Sequence, residues 1–198
     1  MARPAVFLDR DGTLLVERSY LRSVREMRLV RRGAEAVRRL NKAGLAVVVA
    51  TNQSGIARGL LREDDLQAMH RELGRRLARG GARLDGIYYC PHHPDTPLPQ
   101  YRRRCSCRKP SPGMLRRAAR DLGLDLGRSY AIGDSLRDLE AGRRAGCRTV
   151  LVRTGYGREV AGDAAGDLVD HTAANLPSAV TWVLGQAARR ARPRCRRP

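Results

Sequence analysis

Residues 6 to 13 read Val-Phe-Leu-Asp-Arg-Asp-Gly-Thr, an apolar run that ends in two carboxylates and a turn. Apolar runs of this kind form strands buried on both faces in parallel sheets, and open α/β sheets bind ligands beyond the carboxyl ends of their strands. Asp9 and Asp11 are therefore expected at the mouth of a site. Side chains two apart on an extended chain share a face, so the pair repels itself unless a cation or a shared proton offsets the charge. A bound Mg²⁺ is the economical answer. Gly12 allows a sharp turn just past the carboxylates, and Thr13 offers a hydroxyl to hold one of them. An ordinary acidic turn after a strand is the plain alternative.

The rest of the chain alternates strands with helices. Residues 14 to 32 are polar and Arg-rich and read as a loop over the site. Residues 33 to 43 carry Val37 and Leu40 at helical spacing, with Gly44 at the C-terminal stop. Residues 45 to 50 form a continuous apolar run, a buried strand that delivers Thr51-Asn52-Gln53-Ser54-Gly55, where hydroxyl, amide and backbone donors suit phosphoryl oxygens. Leu66, Met69, Leu73 and Leu77 make a helical stripe after the acidic start Glu63-Asp64-Asp65, with Gly80-Gly81 as its stop. His70 lies off that stripe and is expected to be solvated.

Residues 86 to 89 read as a short strand running into Cys90-Pro91-His92-His93-Pro94. Cys105-Ser106-Cys107 follows, so Cys90, His92, Cys105 and Cys107 supply three thiolates and an imidazole, a set that closes a tetrahedral Zn²⁺ site without water. A structural zinc that pins a Pro-rich loop is expected, with His93 as the rival ligand. Free thiols beside a solvated His pair are the alternative.

Arg108-Lys109-Pro110 comes directly after. Lys42 and Lys109 are the only lysines among 39 basic residues. A Lys at this point suggests a need for a compact point charge, and Lys109 is read as the phosphate-neutralising group, with Arg108 able to clamp a second anion bidentately. Residues 114 to 122 form a helix that stops at Gly123. Residues 129 to 132 form a strand leading into Gly133-Asp134-Ser135. Asp134 adds a further carboxylate for a hard cation, and Asp138, one helical turn on, is expected to cap or orient rather than to ligate. Strands at residues 148 to 152 and 167 to 170 and a helix at 176 to 190 complete the pattern, with Cys147 a buried thiol. The expected architecture is α/β, a single doubly wound parallel sheet over residues 1 to 188, with an Arg- and Pro-rich tail at 189 to 198 expected to be disordered.

The motifs at Asp9-x-Asp11-Gly12-Thr13, Thr51, Lys109 and Asp134 resemble, in order, the four motifs of the haloacid dehalogenase (HAD) superfamily. The resemblance implies a capless, Rossmann-like phosphatase in which Asp9 is the nucleophile, Asp11 the acid/base, and Thr51 and Lys109 bind the transferring phosphoryl. It also implies magnesium held by Asp9, Asp11 and Asp134. With Cys-Pro-His-His-Pro and Cys-x-Cys-Arg-Lys-Pro added, the chain resembles the family of heptose 1,7-bisphosphate phosphatases, whose sister branch acts on histidinol phosphate through a shorter loop. That resemblance implies removal of the 7-phosphate of the heptose. It assigns substrate contacts to the positions of Glu17 and Tyr20, Asn52, Gln53 and Ser54, and Arg108, together with Arg10.

The formal charge of +19 invites a nucleic-acid reading. However, the arginines are spread over the whole chain, and aromatic residues make up only 4% of it, too few for a base-stacking platform. A zinc-stabilised nucleic-acid-binding protein would also leave Asp9, Asp11 and Asp134 unexplained. DNA 3′-end phosphatase chemistry is a third option. The expected partner is a phosphorylated small molecule, with no specific nucleic acid and no membrane. The chain is expected to act as a cytoplasmic monomer.

Overall fold

The computed structural model describes residues 2–160 and 166–191. Six strands, β1 (Arg3–Leu8), β2 (Ala46–Asn52), β3 (Gly86–Cys90), β4 (Leu124–Gly133), β5 (Arg148–Val152) and β6 (His171–Ala173), form one parallel sheet in the order β3-β2-β1-β4-β5-β6. The helices are α1 (Gly33–Lys42), α2 (Ser54–Ala57), α3 (Glu63–Arg79), α4 (Gly113–Leu122), α5 (Leu136–Ala145) and α6 (Leu176–Ala191). This is the expected doubly wound α/β class. The chain steps outward from β1 through β2 to β3, then returns to the other side of β1 with β4. Strand order thus reverses around β1, and the crevice at such a reversal is where open parallel sheets place ligands.

Alternation along each strand separates two cores. Val6 and Leu8 of β1 with Val47 and Val49 of β2 face α1, α3 and α6, where Val37, Leu40, Leu66, Met69, Leu73, Leu77 and Val180 are buried. Ala5, Phe7, Ala46, Val48 and Ala131 face the other way, toward Met114, Leu115 and Ala118 of α4. That second face is built of small residues, so helices approach it closely. At Gly142 of α5 a Cβ would lie 2.6 Å from the Ala131 Cβ.

The sequence pattern finds every strand but the last, although β4 begins at Leu124, five residues ahead of the expected start, where it pairs with Arg3 of β1. Residues 167 to 170 hold a 3-10 turn (Gly166–Leu168), and β6 begins after them, at His171. Asp170 is instead an anchor, its carboxylate accepting from the Thr149 N–H at 2.8 Å. The last helix runs past residue 188 to Ala191. Residues 192 to 198 of the expected tail, Cys195 included, lie outside the described residues. Among the described residues no helix is long and apolar enough to cross a membrane.

Candidate active site

Asp9, Thr51 and Asp134 stand at or just past the carboxyl ends of β1, β2 and β4, on the floor of a cavity of about 230 Å³. Lys109 joins them from the far side of the Cys/His loop. Its ammonium is 4% exposed and spends its three donors on the Ala50 carbonyl (2.7 Å), Asp9 (2.6 Å) and Asp138 (2.5 Å). Burial alone would push this amine down, but Asp138 and Asp9 outweigh it and hold Lys109 above its ordinary range. Asn52 sets the height of the ammonium, since its amide accepts from the Lys109 N–H (3.0 Å) and donates to the Lys109 carbonyl (3.1 Å).

The carboxylates are crowded and dry. Burial raises Asp9 well above the ordinary value against the pull of Lys109, and Asp138, Asp134 and Asp11 add to the rise. Burial and Asp138 push Asp134 up to about 7, opposed by the Tyr156 N–H that it accepts at 2.9 Å. Oxygens of Asp9, Asp134 and Asp138 lie within 4.8 Å of one another. Glycines make room beside Asp134, since a Cβ on Gly12 or Gly155 would lie 2.0 or 2.1 Å from Asp134 Oδ2. A cluster of buried carboxylates against one ammonium fits a hard divalent cation. Asp138 is already spent, because it also accepts from the Ser135 N–H (3.0 Å) and hydroxyl (2.6 Å) at the start of α5. Its capping contacts fit the orienting role expected of it, yet it is Asp138, and not the expected ligand Asp11, whose oxygen clusters with those of Asp9 and Asp134.

Gly155 has φ +51, so its substitution strains the backbone as well as displacing Asp134. Gly155→Ala is expected to lower kcat by about 10²-fold, the scale of a 1 Å misplacement of a catalytic group. Phosphate-release kinetics alongside a thermal melt check this, and an unaffected kcat would refute it.

Several expectations need correction. Thr13 does not hold a carboxylate; its hydroxyl is buried with no partner among the described residues, and Thr154 reaches across to the Gly12 carbonyl at 2.6 Å. Arg10, an expected substrate contact, is 1% exposed and lies behind Asp11, bonded to it and to Gln53. His70 is not solvated. It is buried edge-on against Tyr89 with Nε2 3.5 Å from Arg10 Nη1, because the back of the site packs onto the flank of α3.

Burial, followed by Arg10, lowers His70 to about 4 from 6.5. The native state therefore refuses a proton that the unfolded chain takes up below pH 6.5. The contribution of His70 to stability is present above pH 6.5 and fades as pH falls toward 4, by about 3 kcal/mol in all. His70→Gln should flatten that part of the profile in urea unfolding from pH 7 to 4, and parallel wild-type and variant profiles would count against it.

The walls come from two segments. Residues 14 to 30 close on themselves through Val16 N–H to Arg28 O and Val30 N–H to Leu14 O. Leu14, Leu15, Leu21 and Met27 are buried in the core, and Glu17, Ser19 and Tyr20 line the cavity, so this is the loop over the site that the sequence suggested. Ser54, Arg108 and His93 also line it. Tyr156, Arg58 and Arg137 complete the lining without having been singled out from the sequence. Their only sequence signal is position: Arg58 follows the donor loop at Thr51, Arg137 follows Asp134, and Tyr156 stands between two glycines after β5.

The second wall is held at its base by Cys90, His92, Cys105 and Cys107, whose ligand atoms lie within 4.8 Å of one another. The sulfurs are 3.1 to 3.5 Å apart and His92 Nδ1 is 3.5 and 3.6 Å from two of them, a compact four-ligand set somewhat tighter than the edges of about 3.8 Å that Zn–S arms of about 2.3 Å give. Hydrogen bonding from Cys90, with Cys105 and His92, pushes Cys107 down to about 5, while the same contact and burial push Cys90 up. The rival His93 points elsewhere, its Nδ1 engaged with Asp95. Cys147 is a buried thiol raised to about 12 by burial.

A family model described as HAD-hydrolase-like matches residues 106–179. The chain is 44% identical over 181 residues to the D-glycero-beta-D-manno-heptose-1,7-bisphosphate 7-phosphatase of Photorhabdus laumondii, covering 91% of this chain and 96% of the relative. The enzyme of the same name from Escherichia coli K12 is 43% identical over 178 residues, covering 89% and 93%. Among solved structures, the D,D-heptose 1,7-bisphosphate phosphatase of B. bronchiseptica, complexed with magnesium and phosphate, is similar with a TM-score of 0.81 and 40% identity, covering 93% of this chain and 99% of that one. Identity at this level, on the same fold and over most of both chains, places the chain in the D-glycero-beta-D-manno-heptose-1,7-bisphosphate 7-phosphatase family of HAD-like hydrolases.

Proposed function

We propose that this chain removes the 7-phosphate of D-glycero-D-manno-heptose 1,7-bisphosphate by two in-line displacements. The observation that carries the reading is the pairing of cations in one cavity: Lys109 on the floor beside Asp9, and half-buried Arg108 on the wall, its Nη1 donating to the His92 carbonyl at 3.1 Å. One cation serves the reacting phosphate and the other the distal phosphate, an arrangement suited to a bisphosphate. Burial, opposed by Cys90 and Cys105 and reinforced by Arg137 and Arg58, weakens the hold of Arg108 on its proton, so a second anion is favoured there.

Asp9 attacks phosphorus and becomes an aspartyl phosphate while Asp11 protonates the leaving sugar oxygen; a water then gives its proton to Asp11 and releases phosphate from Asp9. The Thr51 hydroxyl receives one equatorial oxygen and the Lys109 ammonium another, its donor to Asp9 being freed as that carboxylate bonds to phosphorus. Asp9 and Asp134, with Asp11 as the third expected ligand through its main-chain carbonyl, would hold magnesium, which would neutralise charge on the transferring phosphoryl and leave the Asp11 carboxyl to proton transfer. Zinc at Cys90, His92, Cys105 and Cys107 would be structural. Glu17, Tyr20, Asn52 and Ser54 are the remaining candidate contacts, Asn52 acting mainly through Lys109. The domain is read as residues 1 to 188, working as a monomer in the cytoplasm.

The test is magnesium-dependent phosphate release from heptose 1,7-bisphosphate set against histidinol phosphate. A preference for the bisphosphate supports the reading, and a preference for histidinol phosphate moves the chain to the sister activity. Arg108→Ala is expected to lose about tenfold or more in kcat/KM for the bisphosphate while a heptose monophosphate changes little. Equal losses for both substrates would refute the role given to Arg108.

A further inference from the structure

Arg10 stands between the two catalytic carboxylates in sequence, yet its side chain is turned away from the cavity and 1% exposed. A buried guanidinium with five donors is costly unless its partners are well placed. Its partners form a closed triangle. Arg10 Nη2 donates to Asp11 Oδ2 (2.8 Å) and to Gln53 Oε1 (2.8 Å), and Gln53 Nε2 donates to the same Asp11 Oδ2 (2.9 Å). The Gln53 amide also donates to Thr51 Oγ1 at 2.8 Å. Behind the guanidinium, His70 presents its ring nitrogen to Nη1.

The two oxygens of Asp11 are consequently unequal. Oδ2 accepts from Arg10 Nη2, from Arg10 Nε (3.1 Å) and from Gln53, whereas Oδ1 accepts from Arg10 Nε alone at 3.1 Å. An oxygen met by three donors has no room for a proton of its own, since a hydrogen there would point at other hydrogens. We propose that Arg10 and Gln53 are positioning residues that fix Asp11 with Oδ1 as its proton-carrying oxygen, aimed at the leaving oxygen of the substrate, and that Gln53 locks this orientation to the phosphoryl-binding Thr51.

The proton path then balances. As the Asp9 oxygen bonds to phosphorus, the ester P–O bond breaks, its electron pair passes to the leaving oxygen, and that oxygen takes the proton from Asp11 Oδ1. The new charge on Asp11 is received by the waiting guanidinium. In the second step Oδ1 takes a proton from the attacking water as the Asp9–phosphorus bond breaks. The inference rests on the phosphatase reading above, and its test is independent of which sugar is the natural substrate.

The test compares an alkyl phosphate, whose alkoxide must be protonated to leave, with p-nitrophenyl phosphate, whose phenolate leaves unaided. The quantity read is kcat/KM, which reports on phosphorylation of Asp9 and excludes the later water step. Arg10→Met and Gln53→Met are each expected to lower the alkyl-to-aryl ratio of kcat/KM by about tenfold or more, within the range that general acid catalysis supplies. Arg10→Lys should recover only part, lacking the two-pronged geometry. On an Asp11→Asn background neither substitution should lower the ratio further, because both act through Asp11. A thermal melt identifies any variant that fails to fold, and the Gln53 variant, which keeps the buried charge, then carries the test. Equal losses on both esters, or a further fall on the Asp11→Asn background, overturn the proposal. A wild-type chain that cleaves neither ester nor the bisphosphate overturns the phosphatase reading and this inference with it.

Discussion

Asp9→Asn is expected to lower kcat by about 10⁴-fold or more while leaving the protein at least as stable as the wild type. An amide is no nucleophile toward phosphorus, so the covalent route closes. The shape of the side chain is kept, however, and Lys109 retains Asp138 and the Ala50 carbonyl as partners. The carboxylate that is lost was one that burial and three neighbouring carboxylates disfavour. A neutral group there relieves repulsion, and the melting temperature should hold or rise. Phosphate release and a thermal melt on the same preparation separate the two effects. A variant that loses activity and stability together would show that Asp9 supports the fold rather than the chemistry.

Cys107→Ala is expected to fail in the opposite manner, losing stability and activity at once. Cys107 stands two residues before Lys109, so the cation proposed for its cluster would fix the approach of both site cations. Removing a ligand from a closed four-ligand set forfeits much of the binding free energy, which for structural zinc is folding free energy. Zinc content, measured by atomic spectroscopy, should fall below one per chain, the melting temperature should drop, and kcat should fall by about 10²-fold or more as Lys109 is misplaced. Cys147→Ala is the control. Its thiol is buried in the smaller core, which Cys90 also joins, but it is not one of the four clustered ligands, and the variant should keep its zinc and its turnover. A Cys107→Ala protein with normal turnover would break the link between the loop and the site.

The contrast between these variants follows from how much each residue's role shows in the sequence. The gathering of polar residues at the strand ends was legible because each part joins two signals, a buried strand and an abrupt change to polar chemistry at its end. Asp9 after Leu8, Thr51 after Ala50 and Asp134 after Gly133 all have that form. The Cys/His set was legible from ligand type and spacing. What escaped lies where neither signal operates. His70 was misplaced because a helix stripe predicts only the face turned to the main core, and this residue is buried by a second surface, the back of the site at Arg10. The short edge strand at His171 is polar and three residues long, too brief to alternate. Tyr156, Arg58 and Arg137 sit on exposed turns and helix starts, where no periodicity marks which residue leans inward. Arg10 was misassigned for a related reason. Its place between two catalytic residues says that it is near the chemistry, but only the fold says on which side.

The two walls of the cavity share one support, α3, but meet it at different places, Arg76 donating to the Met27 and Val24 carbonyls of one wall and Glu63 holding the other. The segment ending near Val30 is sewn into the larger core by its leucines, while the opposite loop is tied by its Cys/His base and by Glu63 at the start of α3, whose carboxylate accepts from the hydroxyls of Tyr89 (2.6 Å) and Tyr101 (2.9 Å). Neither anchorage uses a residue of the catalytic floor. The molecule is thus divided into a floor at the strand ends and two braced jaws. The rim of either jaw, away from Cys107 and Lys109, is where a change would alter the molecule accepted while leaving the reaction in place.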